Sequence, residues 1–289
     1  MAARRRVRRF KVGRRIGQGL TVLGVVDGGP HPVYIVWSDE DWCPLACKVL
    51  RTARRASEEA EIIQACAHPN IVRLFACQDD LLVMEFLDGP TLQRMLEDRP
   101  NERLSRSEAL RSVIHVGAAL QHVHARGYVH LDIKPQNVIV VGGRPVLHDF
   151  GTARRIGGKR PSIGVGTTSY MPPEEAEKGE VSPASDVYSL GVTLFELLTG
   201  HFPFPPRSRG RPYPQLKLEP KTPRKYLPSL PRRLEELIMA SIARDPGERP
   251  HLSQLLPELN GMITAGPKMW PDEFDPLAPR RRPGKAVAG

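Results

Sequence analysis

Apolar residues recur at two different periods along this chain, and the changeover falls near residue 86. Before it, short strand-like runs dominate, at 10–17, 20–26 (LTVLGVV), 33–37 (VYIVW), 44–50 (PLACKVL), 71–77 and 81–86. The turn Asp27-Gly28-Gly29-Pro30 separates the second run from the third. One helical pattern interrupts the series between Thr52 and Ala67, and His68-Pro69-Asn70 ends it. Beyond residue 90 the helical period takes over. A short helix is expected near Thr91–Glu97 and a long amphipathic one over Ser105–Arg126, where Ser105 and Glu108 form a capping box. Leu110, Val113, Ile114, Gly117, Leu120 and His124 share one face of that long helix. Ser182-Pro183 opens another helix that Gly200 closes; it is apolar nearly all round, so it is expected to be a buried pillar. Residues 202–231 are proline-rich and read as a surface crossing before helices at about 231–243 and 252–264. The pattern predicts an α+β chain: a small strand-rich lobe (10–86) with one helix, the connector Glu85–Gly89, and a larger helical lobe (90–264).

Composition fits that picture without refining it. A chain of 289 residues, 40% hydrophobic and 26% charged, is globular and long enough for two lobes around a cleft. Charge adds more. Of the net +10, residues 1–15 carry +8, residues 205–225 carry +6 and residues 279–289 carry +4, which leaves the body at −8. Basic, mobile tails (1–9 and a Pro/Arg-rich, disordered 265–289) on a mildly acidic fold are favoured over nucleic-acid or anionic-lipid contact, because the tails lack interleaved aromatics. Cys43, Cys47, Cys66 and Cys77 show no C-x-x-C pair and no clustered His, so free thiols are expected rather than a metal site. No apolar segment follows the basic start, and the longest apolar run, Val187–Leu198, is too short to span a bilayer. A cytoplasmic location is the expectation.

Two stretches carry chemistry. In PLACKVL a lysine sits within an apolar strand, where it needs a partner. Of Glu58, Glu59 and Glu61 on the next helix, only Glu59 aligns with Ile62, Ile63 and Cys66 on the inward face, which predicts a Lys48–Glu59 pair. Further on, His130–Gly151 (HLDIKPQNVIVVGGRPVLHDFG) brings Asp132, Lys134 and Asn137 within six residues and then, after a short hairpin, Asp149. A base, a cation and two oxygen ligands for a hard metal on one frame suit phosphoryl transfer. Upstream, Gly17-Gln18-Gly19 ends the first strand in a turn whose N–H groups can approach phosphates.

From Phe10 to Thr264 the chain resembles the eukaryotic-type (Hanks-type) Ser/Thr protein kinases. HLDIKPQN resembles the catalytic loop, HDFG the metal-binding loop, GTTSYMPPE the end of the activation segment, DVYSLG the start of the central helix, and ARDPGERP a late motif; LACK lies upstream, all in the family's order. The resemblance implies a bilobal kinase fold, ATP and Mg²⁺ as cofactors, and protein substrates bearing Ser or Thr. It implies that Asp132 takes the hydroxyl proton, that Lys134 steadies the transferred group, and that Asn137 and Asp149 hold metal. Lys48 would hold the nucleotide phosphates and Glu59 would hold Lys48. Met84 resembles the gatekeeper, and Glu85–Leu87, with Glu85 and Leu87 at its ends, the hinge that meets adenine. Gly17, Gly19, Val33, Ala46 and Ile139 complete the implied nucleotide site. Asp186 and Arg249 resemble structural residues, Arg249 pairing with Glu174. Composition suits a soluble bacterial member, and the resemblance implies that the protein itself is among the substrates.

Three departures stand out. Val33 and Tyr34 lie 15 and 14 residues before Lys48, the family's usual interval for its second strand, so about nine residues are inserted after Gly17-x-Gly19; alternatively Gly24-Val25-Val26 ends the glycine loop and the insertion follows it. On either placement position 22 is Val rather than a third glycine. Leu131 replaces the Arg that pairs with a phosphorylated activation loop, so catalysis is expected not to depend on a phosphate at Ser162, Thr167 or Thr168 through that contact. Pro172 replaces Ala in MPPE while Pro173 and Glu174 remain. A pseudokinase scaffold and a kinase-fold enzyme acting on a small-molecule hydroxyl are the rival readings. Retention of Lys48, Glu59, Asp132, Asn137 and Asp149 opposes the first, and the Gly151–Glu174 segment opposes the second.

Overall fold

The computed structural model describes residues 7–27, 31–158, 168–177, 179–208, 210 and 212–263. The first part of the chain forms one antiparallel sheet from β1 (Arg15–Ile16), β2 (Leu20–Asp27), β3 (Val33–Ser38), β4 (Cys43–Val49), β5 (Leu74–Gln78) and β6 (Leu81–Glu85). Their spatial order is β1-β2-β3-β4-β6-β5. The predicted strand at 10–17 shrinks to the two residues of β1, because Gly13 adopts φ 82° and breaks the ladder there, although the Gly13 N–H and the Arg14 carbonyl still bond to Val22 of β2. Strand alternation sorts the rest. Leu20, Val22, Tyr34, Val36, Leu45, Cys47 and Val49 bury one face of the sheet, beneath the half-buried Val7 and Phe10. Ala46 and Lys48 are left on the other face.

Helix α1 (Ala53–Ala65) starts where Thr52 accepts a hydrogen bond from the Arg55 N–H. It turns Ala56, Glu59, Ala60, Ile62 and Ile63 inward, and Glu58 and Glu61 stay exposed, as their positions on the helix predict.

The second part is helical: α2 (Leu92–Glu97), α3 (Arg106–Ala125), α4 (Pro173–Ala176), α5 (Pro183–Thr199), α6 (Arg232–Ser241) and α7 (Leu252–Gly261). The Ser105–Glu108 capping box of α3 is formed in both directions. Every residue of α5 from Ser185 to Thr199 is buried, and left-handed Gly200 ends the helix. A pillar buried on all sides lets α3, α6 and the loops around it be positioned from one rigid reference. Two small two-stranded pairings complete the architecture: the hairpin of β8 (Val138–Val141) with β9 (Arg144–Leu147), and β7 (Tyr128–Val129) with β10 (Arg154–Arg155). The proline-rich crossing holds two short 3₁₀ turns, Pro214–Leu216 and Pro223–Lys225.

Among the described residues no helix is long and apolar enough to cross a membrane. The four cysteines are free thiols. Of the basic tail expected to be mobile, 1–9, residues 1–6 lie outside the described residues, as do the tail expected to be disordered, 265–289, residue 264 before it and most of the loop before Thr168.

Candidate active site

Register places the first functional side chains. Val33 pairs with Lys48 across β3–β4, Ile35 with Ala46, and Ala46 with Met84 across β4–β6. Cross-strand partners point to the same face, so Val33, Ile35, Ala46 and Lys48 line one face together, with Met84 beside them. Ile35 is absent from the sequence-derived set, although two-residue alternation from Val33 reaches it. The chain then leaves the sheet through Glu85, Phe86 and Leu87, all half-buried. Gly89 brings this connector against β8, where a Cβ would sit 2.1 Å from the Val140 carbonyl oxygen. The Val140 N–H donates to the Pro90 carbonyl, and Ile139 bridges to Thr91, which sets Ile139 on the opposite side of the cleft mouth from the sheet.

Gly17 and Gly19 belong elsewhere. Leu20 pairs with Ser38, five residues along β3 from the Val33–Lys48 pair, which at about 3.3 Å per residue is roughly 17 Å. Gly17 packs beside Gln78, whose side chain accepts the Gln18 N–H, and Gly19 accepts from the Asp39 N–H. Both glycines have positive φ, 50° and 68°, so they make a tight turn at the end of the sheet far from Lys48. Strands β2 and β3 converge at Asp27–Val33, beside Lys48. Residues 28–30, between the two strands, lie outside the described residues. Gly24-Val25-Val26, the alternative end of the glycine loop, lies within β2.

The Lys48 ammonium donates to Glu59 Oε1 at 2.7 Å and to Asp149 Oδ1 at 2.6 Å. The pair predicted from helix phase is formed, and a second carboxylate from 101 residues away joins it. Burial opposes the charge on Lys48, but the two carboxylates outweigh it and hold its pKa above the ordinary lysine value. Burial likewise pushes Asp149 upward, yet the Lys48 charge and hydrogen bond hold it well below the usual carboxylate range. Glu59 is raised by burial and by Asp149, with Lys48 pulling against both.

Below this trio the β8–β9 hairpin controls spacing. Val138 pairs with Leu147, and the His148 N–H donates to the Asn137 carbonyl at 3.0 Å. Asn137 and Asp149 thus leave the base of one hairpin side by side. Asn137 Nδ2 donates to the Asp132 carbonyl and to Asp132 Oδ2, both at 2.8 Å, and Lys134 Nζ donates to the same Oδ2 at 2.7 Å. Asp132 keeps about a fifth of its side chain exposed. His148 is buried, and desolvation lowers its pKa to about 4, so it stays a neutral imidazole at pH 7.

The backbone carrying Asp132 is strained and held. Leu131 has φ 67°, a rare conformation for a bulky residue. Buried Asp186 compensates: its carboxylate accepts the His130 N–H at 2.9 Å and the Leu131 N–H at 2.8 Å. It also meets His124 Nε2 at 2.8 Å. The Leu131 side chain packs with Val129 and Val181, where no charge could be received. Thr168 is buried, and Ser162 and Thr167 lie outside the described residues.

A second buried polar pair flanks the loop. The Tyr170 hydroxyl donates to Glu196 Oε2 at 2.5 Å. Burial raises the Glu196 pKa to about 7, with the tyrosine bond opposing. Its unfolded value is near 4.5, so between those limits the folded state binds the extra proton and stability falls as pH rises. The full loss is about 3 kcal/mol, complete above pH 7. Glu196→Gln, which keeps an acceptor without a charge, is expected to flatten this slope and to raise stability at pH 8; urea unfolding at pH 5 and pH 8 reads both.

Oxygen donors fit a hard cation, and Asn137 with Asp149 offers one amide and one carboxylate. Among the described residues no three His, Cys, Asp or Glu groups form a metal cage. A magnesium site completed by nucleotide phosphates and water needs none.

Residues 12–258 match the family model for the protein kinase domain. PrkC of Bacillus subtilis, a serine/threonine-protein kinase, is 32% identical over 256 residues, covering 82% of this chain and 39% of that protein. PknL of Mycobacterium tuberculosis, also a serine/threonine-protein kinase, is 33% identical over 244 residues, 78% of this chain and 60% of the relative. This chain therefore spans about 40–60% of the length of these relatives. Among solved structures, the M. tuberculosis PknI kinase domain superposes with a TM-score of 0.71 at 26% identity, covering 87% of this chain and 98% of that one. With a family model across most of its length and the Lys48–Glu59–Asp149 and Asp132–Asn137 constellations in the expected order, this chain belongs to the protein kinase domain family.

Proposed function

We propose that this protein transfers the γ-phosphoryl group of ATP to Ser or Thr hydroxyls of protein substrates, itself among them. The carrying observation is the convergence on one cleft of Lys48, bridged to Glu59 and Asp149, and of Asp132, held by Lys134 and Asn137. The relatives named for serine/threonine-protein kinase activity support the same substrate class. Glu85–Gly89 divides the two lobes on this reading.

Bound ATP supplies the phosphoryl group, and Mg²⁺ neutralises charge on its phosphates. Lys48 contributes a fixed positive charge for those phosphates, oriented by Glu59. Asn137 and Asp149 offer the metal ligands. Val33, Ala46, Met84, Glu85, Leu87 and Ile139 surround the adenine side of the cleft, and Ile35 joins them. With ATP bound, Asp132 would accept the proton of the substrate hydroxyl as its oxygen bonds to the γ-phosphorus and the bond from that phosphorus to the β-phosphate oxygen breaks, ADP leaving with that electron pair; Lys134 would offset the charge on the transferred oxygens. Asn137 fixes the carboxylate so that one oxygen keeps its approach to the hydroxyl.

Labelling of a generic protein substrate and of the protein itself, with γ-labelled ATP and magnesium, tests the proposal. Wild type is expected to exceed Asp132→Asn by about 10²–10⁴-fold. Equal labelling of the two, with no ATP-dependent thermal shift in wild type, would sink it and leave the scaffold reading.

A further inference from the structure

A proline interrupts the ladder beside Lys48, and the residue before it makes good the missing bond. The β3–β4 pairing of Val33 with Lys48 continues one step further, where the Val49 N–H donates to the Pro32 carbonyl at 2.9 Å. In an antiparallel ladder the reciprocal bond would run from the N–H of position 32 to the Val49 carbonyl. Pro32 has no N–H to give. The His31 imidazole hydrogen-bonds the Val49 backbone instead. Its Nδ1 is buried and has no partner among the described residues, so the bond to Val49 falls to Nε2. With the Nε2–H given to a carbonyl, the neutral ring keeps its lone pair on Nδ1.

The surroundings say what that nitrogen can meet. His31 is half-buried and stands two residues before Val33, on the face of the sheet that carries Val33, Ile35, Ala46 and Lys48. Burial first, then Lys48 of β4 and Arg51 just beyond it, hold its pKa below the ordinary histidine value, against the Val49 bond and Asp149. Glu59 lies behind Lys48, on the 2.7 Å bond already described. Capping the Val49 carbonyl needs only Nε2, and leaves Nδ1 among two cations and one carboxylate that is itself bonded to Lys48. What this corner of the cleft lacks is an anion.

We propose that His31 is a phosphate ligand of the nucleotide, binding a proton at Nδ1 and donating that N–H to a phosphate oxygen beside Lys48. The inference rests on the ATP-dependent reading above and adds a contact to it. One proton passes from solvent to Nδ1 as the phosphates arrive, and no covalent bond to carbon or phosphorus changes. The phosphate charge favours the protonated ring, as Lys48 and Arg51 disfavour it without the nucleotide. Sequence alone does not single out His31, because only the ladder shows that Pro32 leaves the Val49 carbonyl to its neighbour.

The test is calorimetric titration of the full chain with a non-hydrolysable ATP analogue, ADP and adenosine, in magnesium, for wild type and His31→Gln. Glutamine offers an amide N–H to the Val49 carbonyl and has no nitrogen that takes a proton. Wild type is expected to bind the analogue and ADP about ten-fold or more tightly than the variant at about pH 6, with a smaller advantage at about pH 8.5. Adenosine, which has no phosphate, is expected to bind both proteins alike. ADP titrations in two buffers of different ionisation enthalpy are expected to show more proton uptake by wild type than by His31→Gln. Equal affinity of the two proteins for the analogue and ADP, an advantage that extends to adenosine, or one that does not change with pH would each overturn the proposal. Failure of wild type to bind the analogue at all would overturn the nucleotide reading itself, and this inference with it.

Discussion

Asp149→Asn is expected to reduce phosphoryl transfer by at least about 10³-fold while leaving the fold in place. The carboxylate is asked for two things. It accepts a hydrogen bond from the buried Lys48 ammonium at 2.6 Å and balances its charge, and it offers a hard oxygen to metal. Asparagine keeps the shape and one oxygen but removes the charge, so both tasks weaken together. Losing several kcal/mol of charge stabilisation at a metal corresponds to about three powers of ten in rate. Folding should survive for a local reason: Asp149 has φ 64°, a region asparagine tolerates as well as aspartate. Lys48 also keeps Glu59 as a partner at 2.7 Å. Rates with ATP and magnesium, read beside thermal unfolding, separate the two effects. A variant that keeps more than about a tenth of wild-type transfer would remove Asp149 from the proposed metal site.

Much of this geometry is legible in the sequence where a short-range rule applies. Helix phase alone separates Glu59 from Glu58 and Glu61, because only one of the three can face inward with Ile62 and Ile63. Ser105 and Glu108 announce the start of α3 by capping chemistry. The Arg249–Glu174 pair, 75 residues apart, is available only from the family's motif order. What fails is the placement of Gly17-Gln18-Gly19. A glycine pair reports that a turn occurs and says nothing of which end of the sheet it occupies. Register decides that, and register comes from the pairing of β2 with β3, which inserted residues displace. The Lys48–Asp149 contact is illegible for a related reason, since a hairpin and a lobe boundary separate the two residues in sequence.

Arg249→Ala is expected to cost about 3–5 kcal/mol of stability, the largest single-site loss foreseen outside the cleft. The Arg249 side chain is fully buried, and its guanidinium meets Glu174 in bidentate fashion at 2.7 and 2.8 Å. It also donates to the carbonyls of Ala184 and Ala243, both at 2.9 Å, and lies 4.9 Å over the Tyr188 ring. One side chain thus ties α4 to the start of α5 and to the end of α6. Alanine leaves the Glu174 carboxylate with the Ser185 hydroxyl in place of a cation and takes a donor from the carbonyls of Ala184, Ala243 and Arg244, which is costlier than never having built the pair. Lysine cannot repair this, for it has no planar fork to serve three directions. Removing both charges with Arg249→Met/Glu174→Gln should therefore be less damaging than Arg249→Ala alone, a sign that plain loss of packing would not produce. Against a typical total of 5–15 kcal/mol, the single variant should lower the thermal midpoint by about 10 °C or more. Thermal and urea unfolding of the set reads the order, and a double variant as unstable as the sum of the two singles would show that the pair is not coupled.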